Sequence, residues 1–192
     1  MYLFFDTETT GLPNNYNAPI EDLNNWPRLV QLAWVIYDEN AEQKIGANYI
    51  IQPEGFIIPE QASRVHGITT ERANEEGRPL IKVLEEFAGV VGDSKLLIAH
   101  NMDFDEKIIG AEFLRKNISH DLFNTPRFCT MRESTDFCQL PGNFGDYKWP
   151  RLSELHTKLF GENFENAHDA LTDVNACARC FFELIDRGVV SK

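Results

Sequence analysis

The sequence predicts an α/β domain built on a mixed β-sheet flanked by helices. Three observations carry that expectation. Apolar runs rich in β-formers stand at 1–7, 29–38 and 45–52. From residue 78 onward, apolar residues recur at helical spacing, interrupted by a short apolar run at 95–99. Antiparallel strands therefore come first and alternating helix and strand follow, an order that gives a sheet containing both kinds of pairing. The 192 residues are ample for one hydrophobic core, and a single domain over 1–192 is expected.

The first run, through Leu3, Phe4 and Phe5, reads as a buried strand. Residues 8–28, rich in Thr, Gly, Pro and Asn, read as a long loop. The runs at 29–38 and 45–52 flank a polar turn at 39–42, so the second and third strands are expected to be antiparallel. Pro59 to Val65 reads as a short helix. Arg78 to Val91 carries Leu80, Val83, Leu84, Phe87, Ala88 and Val91 at amphipathic spacing and reads as a longer one. Lys95–Ala99 is the next strand. Phe104, Ile108, Ala111, Phe113 and Leu114 mark a helix ending near Asn117. The stretch 118–150, with three prolines and two glycines, reads as irregular, and Leu152–Phe160 and Ala170–Ile185 read as the closing helices.

Composition narrows the function classes. The formal charge is 18 − 30 = −12, the opposite of what a protein that coats nucleic acid carries. If this chain handles nucleic acid, divalent cations on carboxylates must hold the phosphates. No run approaches the roughly 18 apolar residues of a membrane span. The start lacks a basic segment and reaches Asp6 at once, so a cytoplasmic protein without a signal peptide or membrane partner is expected. Four cysteines do not suggest a disulfide framework. Cys177 and Cys180 form a C-x-x-C, but within a helical stretch and with no second ligand pair they read as small core thiols.

Three short segments carry candidate chemistry. Asp6-Thr7-Glu8 ends the first strand, where residues i and i+2 share a face and stand about 7 Å apart. Two like charges there repel unless a cation lies between them, although an isolated Asp-x-Glu also fits a solvated strand end. His100-Asn101-Met102-Asp103-Phe104-Asp105 follows an apolar strand and opens a helix, as ligand sites in open α/β sheets do. Asp103 and Asp105 would lie about 200° apart on that helix. Only one of them can face a site shared with the first strand, and the other reading of both is dipole-stabilising decoration. His168-Asp169-Ala170-Leu171-Thr172-Asp173 opens the last helix, with Asp169 a natural N-cap. For His168 and Asp173 to converge, the histidine must precede the helix.

Taken together, D-x-E-T-T-G-L, H-N-x-x-F-D and H-D-A-x-x-D, with His66-Gly67-Ile68-Thr69 between them, resemble the DEDDh 3′→5′ exonuclease superfamily. Within it the chain is most similar to the proofreading epsilon family of bacterial DNA polymerase III. The resemblance spans roughly residues 2–185 and implies a ribonuclease H-like fold. Carried over by position, it implies catalytic Asp6, Glu8, Asp105 and Asp173, with His168 as general base, and it selects Asp105 over Asp103. It also implies that Thr9, Leu12, His66 and Phe104 hold the terminal nucleotide. The chain stops soon after the last helix, so the tail by which a proofreading subunit joins its polymerase is not expected.

The implied cofactors are two divalent cations on Asp6, Glu8, Asp105 and Asp173, Mg²⁺ or Mn²⁺ because hard oxygen donors favour them over zinc. Asp6 is expected to bridge, with Glu8 and Asp173 completing one site and Asp105 supporting the other. His168 would take a proton from the attacking water and must be neutral to do so. The expected reaction removes 5′-mononucleotides from single-stranded DNA 3′ ends. The same centre acting on RNA, as in ribonuclease T or oligoribonuclease, is the nearest alternative, and a non-catalytic module that binds nucleic-acid ends is the more distant one. Arg127, Arg132, Lys148 and Arg151 are the cations expected to help hold the strand.

Overall fold

In the computed structural model, which describes residues 1–143, 145–164 and 169–191, the opening apolar run is the central strand of a five-stranded sheet. This strand, β1 (Tyr2–Thr9), pairs antiparallel with β2 (Leu29–Tyr37), and β2 pairs antiparallel with β3 (Gln43–Ile50). On its other side β1 runs parallel to β4 (Leu96–Ala99), and β4 to β5 (Arg127–Cys129). The sheet order is β3-β2-β1-β4-β5, a mixed sheet as expected. Parallel neighbours need crossovers, which helices supply. Between β3 and β4 lie α1 (Glu60–His66), α2 (Thr70–Glu76) and α3 (Leu80–Gly92), and between β4 and β5 lies α4 (Met102–Lys116). Two single-turn helices, α5 (Thr130–Glu133) and α6 (Thr135–Cys138), precede α7 (Leu152–Phe160) and α8 (Ala170–Asp186).

Side-chain alternation divides β1 between two cores. Leu3 and Phe5, with Leu32, Trp34 and Leu97, pack beneath Leu84 and Phe87 of α3 and Ile108 and Phe113 of α4. Phe4, with Ala33, Val35 and Ile98, packs beneath Val174, Cys177 and Phe181 of α8. The Phe4 and Phe181 rings meet edge to face at 5.4 Å. By the same alternation Asp6 and Glu8 follow Phe4 onto the α8 side, just beyond the end of this apolar packing. Cys138, Cys177 and Cys180 are buried and all four thiols are free, with burial pushing Cys177 well up and Cys180 up to about 12. They are core thiols.

The structure departs from the sequence reading in four places. β1 runs on through Glu8 and Thr9 because β2 reaches far enough to pair with them, through Gln31 and Leu29. β3 is Gln43–Ile50 rather than 45–52. α2 was not expected: its sequence TERANEE buries only Ala73, so no apolar period marks it. Its legible signal is Thr69, whose side chain caps the Arg72 amide. Within the supposedly irregular 118–150 stretch, β5 forms because β4 offers it a parallel edge, Ile98 opposite Phe128. Three residues are too few to show a period of two.

The 13–28 segment is a loop, as expected, but it is tied down. Asn15 and Asn25 exchange hydrogen bonds of 2.7 and 2.9 Å, and Trp26 Nε1 donates to the Pro19 carbonyl at 2.9 Å. Arg115 on α4 donates to the Leu23 and Trp26 carbonyls at 2.6 and 2.8 Å. Glu112, fully buried one turn before it, accepts from the Leu29 amide at 3.0 Å and pairs with Arg28 at 2.8 Å and Arg115 at 3.0 Å. Removing one partner of a buried ion pair strands the others, a cost of about 3–5 kcal/mol. Glu112→Ala is therefore expected to lower unfolding stability by about that amount, and Glu112→Gln, which keeps an acceptor for Leu29, by less. Urea unfolding of the three proteins measures both, and a loss under about 1 kcal/mol for the alanine variant would contradict this anchoring.

Candidate active site

The carboxylates converge because three elements end at one corner of the sheet. Asp6 and Glu8 project from the last turns of the pleat of β1, and Asp173 lies in the first turn of α8 above them. One oxygen from each of the three lies within 4.8 Å of the others, and all three residues are half-buried. The start of α8 is fixed from below. Asp169 caps it, accepting from the Thr172 amide at 3.1 Å. Gln31, which sits opposite Glu8 across the β1–β2 pair, donates to Asp169 at 3.3 Å and accepts from the Ala170 amide at 3.4 Å. Gln31 thus sets the height of Asp173 over the strand.

Asp105 arrives from the first turn of α4 and is buried. β4 ends at Ala99, short of Thr7, and Asp105 takes the amide left there: Thr7 N–H and Oγ1–H donate to its Oδ1 at 3.1 and 2.7 Å. It stands outside the group of three whose oxygens meet within 4.8 Å, yet its charge acts on both Asp6 and Glu8. Asp103, two residues earlier, points away and pairs with Arg132 at the surface. The helix rotation separates the two acids as expected.

Burial and mutual repulsion hold these groups toward their neutral forms. Burial, then the charges of Asp105 and Asp173, pushes Asp6 well above the usual carboxylate range. Burial, then Asp173 and Asp105, pushes Glu8 up to about 8. Asp105 rises to about 7, through burial opposed by its bonds to Thr7.

Beside the acids lies a cavity of about 610 Å³ that contains all four residues expected to hold a nucleotide, Thr9, Leu12, His66 and Phe104, with Glu8 at its rim. Thr9 Oγ1 donates to the Gly11 carbonyl at 2.6 Å, shaping the turn that exposes Leu12. His66 is buried, and its Nδ1 accepts from the Ile68 amide at 3.1 Å. A smaller cavity of about 350 Å³ lies directly over Asp6, Glu8 and Asp173 and is walled by Leu12, Tyr16, Phe104 and His100. His168 lies outside the described residues. His100, which lines the cavity over the acids, is a strut: it joins Thr130 Oγ1 and the Pro150 carbonyl, each at 3.0 Å, and burial lowers it to about 4.

The sequence reading gave no role to Thr7 or Asn101, although both stand in its motifs, and it did not single out Gln31 or Tyr16 as site residues. Asn101 has a left-handed backbone, φ 81°, at the β4–α4 corner, a conformation Asn tolerates better than most residues. Three of the cations expected to hold the strand are engaged within the protein: Arg127 with Glu106, Arg132 with Asp103 and Lys148 with Glu154.

Acids from two helices and a strand meeting at one corner of an α/β sheet form a group that could hold a metal ion. The chain belongs to the exonuclease family, whose sequence profile matches residues 3–181, and it carries the DEDDh motifs. DNA polymerase III PolC-type proteins of Streptococcus pneumoniae and Streptococcus suis are 30% and 29% identical to it over 191 and 186 residues. Those matches cover 96% and 94% of this chain but 11% of each relative. Exonuclease I of E. coli in complex with a dT13 oligonucleotide superposes with a TM-score of 0.75 at 21% identity, over 96% of this chain and 40% of that one. Exonuclease I from Methylocaldum szegediense gives 0.76 at 19%, over 97% and 40%. These neighbours share the ribonuclease H-like fold that the motifs imply. The family normally uses divalent metals, and the acidic cluster is of that kind. Among the described residues, no helix is long and apolar enough to cross a membrane.

A carboxylate whose pKa is higher folded than unfolded binds its proton more tightly in the folded state. Its contribution to stability is complete below the ordinary carboxylate range near 4 and is lost as pH rises through the folded value. For Asp105 and Glu8 that loss runs up to about 7 and about 8. In EDTA, these two groups are expected to lower the melting temperature as pH rises from about 4 to about 8. Asp105→Asn, which keeps an acceptor for Thr7, is expected to flatten that fall and to melt above wild type at the alkaline end. Melting curves across pH test this, and an Asn variant as pH-sensitive as wild type would contradict it.

Proposed function

We propose that residues 1–192 act in the cytoplasm as one exonuclease domain that hydrolyses the terminal phosphodiester at single-stranded DNA 3′ ends and releases 5′-mononucleotides. The observation that carries this reading is the convergence of Asp6, Glu8 and Asp173 within 4.8 Å at the edge of a cleft sized for one nucleotide. Asp6, Glu8, Asp105 and Asp173 would hold two divalent cations, Mg²⁺ or Mn²⁺. The donor set fits that role: every donor is a hard carboxylate oxygen, and burial together with mutual repulsion leaves the group short of positive charge. When bound, such a pair stabilises charge on the attacking and leaving oxygens.

The chain's own residues do the remaining work. Thr7 fixes the Asp105 carboxylate, and Gln31 with Asp169 fixes the approach of Asp173. Leu12 and Phe104 offer apolar surface to the terminal base, while Thr9 and His66 shape the floor of the cleft. His168 accepts the proton of the attacking water, which requires its neutral form. DNA is favoured as substrate because the similar sequences are DNA polymerases and the similar fold was seen with a dT13 oligonucleotide.

Parallel time courses on 5′-labelled and 3′-labelled single strands, in Mg²⁺, Mn²⁺ or EDTA, test the reading. A ladder of 5′-labelled products shortened one residue at a time is expected with metal and none with EDTA. Matched RNA is expected to be cut more slowly, and faster cutting of RNA would shift the assignment to RNA ends. Asp6→Ala and Asp105→Asn are expected to abolish cleavage, Asp103→Asn to retain most of it, and His168→Ala to lose about 10²–10⁴-fold. An inactive Asp103→Asn beside an active Asp105→Asn would reverse the assignment of the third acid.

A further inference from the structure

Three cavities adjoin one another at the carboxylates. The nucleotide cleft shares Glu8, Leu12 and Phe104 with the cavity over the acids. That cavity in turn shares His100, Asn101, Leu152 and Asp173 with a third, of about 670 Å³. Met131, Leu152 and Trp149 line this third cavity.

Trp149 is unlike the other two tryptophans. Trp26 and Trp34 are core residues at 3% and 1% exposure, whereas Trp149 is 58% exposed. Its backbone is nevertheless held on both sides. Lys148 N–H donates to the Leu140 carbonyl at 3.0 Å, the Pro150 carbonyl meets His100 at 3.0 Å, and Arg151 N–H donates to Glu154 at 2.8 Å. The Arg132 guanidinium lies over the indole at 5.5 Å and is itself paired with Asp103. A large aromatic ring, anchored through its neighbours and left open on a cavity that abuts Asp173, is a stacking surface.

We propose that Trp149 is the platform for the base on the 5′ side of the scissile phosphate. This rests on the exonuclease reading, which seats the terminal nucleotide among Thr9, Leu12, His66 and Phe104. The phosphate then lies over the acids, and the strand leaves past Asp173 into the adjoining third cavity. Trp149 selects for a stackable base at the penultimate position, whatever its identity, because every base has a π-face.

The test combines binding and single-turnover kinetics. Trp149 is the exposed indole of the three, so stacking reports directly in intrinsic fluorescence. A cleavage-resistant phosphorothioate thymidine oligonucleotide, added in Ca²⁺, is expected to quench the wild-type signal and protect it from iodide. The Trp149→Phe protein is expected to show no such quench. For the first cut, an oligonucleotide whose penultimate residue is abasic is expected to react roughly tenfold or more slower than its normal counterpart with wild type. Trp149→Ala is expected to lose a similar factor on the normal substrate and nothing further on the abasic one, while Trp149→Phe recovers most of the rate. Equal losses by Trp149→Ala on both substrates, or an unquenched indole at saturating oligonucleotide, would overturn the proposal. If wild type shortens neither substrate, the exonuclease reading fails instead, and the fluorescence result alone then decides whether Trp149 stacks on a bound strand.

Discussion

Repulsion among carboxylates at the end of an apolar strand is the constraint on which this structure turns. Two full charges held within 4.8 Å of each other would repel by about 3–4 kcal/mol or more at the effective dielectric of a half-buried site. Asp6, Glu8, Asp105 and Asp173 would spread apart if their backbones allowed it. They do not spread because they are fixed to three rigid elements, Asp6 and Glu8 to β1, Asp105 to α4 and Asp173 to α8, and two uncharged side chains of β1 and β2 tie the helix starts to the sheet. Thr7 receives Asp105, and Gln31 receives the cap of α8. Neutral anchors suit this position, since a cation in either place would quench the field that attracts a metal.

The two cores explain how so polar a corner is stable. Leu3 and Phe5 bind β1 to α3 and α4, and Phe4 binds it to α8, so the strand is gripped from both faces directly before Asp6. The buried Glu112 cluster performs a related task for the 13–28 loop. It joins the start of β2 and the end of that loop to α4, the helix that carries Asp105 and Phe104. Lys107 of the same helix donates to the Tyr16 carbonyl at 2.7 Å. Leu12 and Tyr16 therefore reach the cleft on a loop braced against the helix that forms the opposite wall.

What was legible in the sequence follows from what has a period or a motif. β1, β2, α3, α4 and α8 bury a stripe or a face, and their positions follow from apolar spacing. Asp6, Glu8, Asp105 and Asp173 are found because their spacing forms a pattern, although geometry alone left Asp103 and Asp105 open. Thr7 and Gln31 carry no such signal. A buried glutamine opposite Glu8 looks in sequence like any polar residue in a strand, and its importance appears only when α8 is placed above it. β5 and α2 were illegible for a different reason: one is stabilised by its partner strand, the other by a cap and a single buried alanine.

The −12 charge and the ion pairing of the cations act in the same direction. Arg127, Arg132 and Lys148 are each engaged with an acid, so they form no free basic patch, and Arg151 is the one of the four expected cations that lines the third cavity. A polyanion gains little by approaching the paired cations, and it is repelled by the bare carboxylates. Affinity for a strand then depends on two contributions that do not rely on surface charge: divalent cations neutralising the acids, and apolar or aromatic surface meeting the bases. Leu12 and Phe104 supply that surface on one side of the acids and Trp149 on the other. Stacking needs an unpaired base, whereas a duplex presents only its phosphates to an acidic surface. On the proposed reading, the same arrangement would favour frayed and single-stranded ends over paired ones.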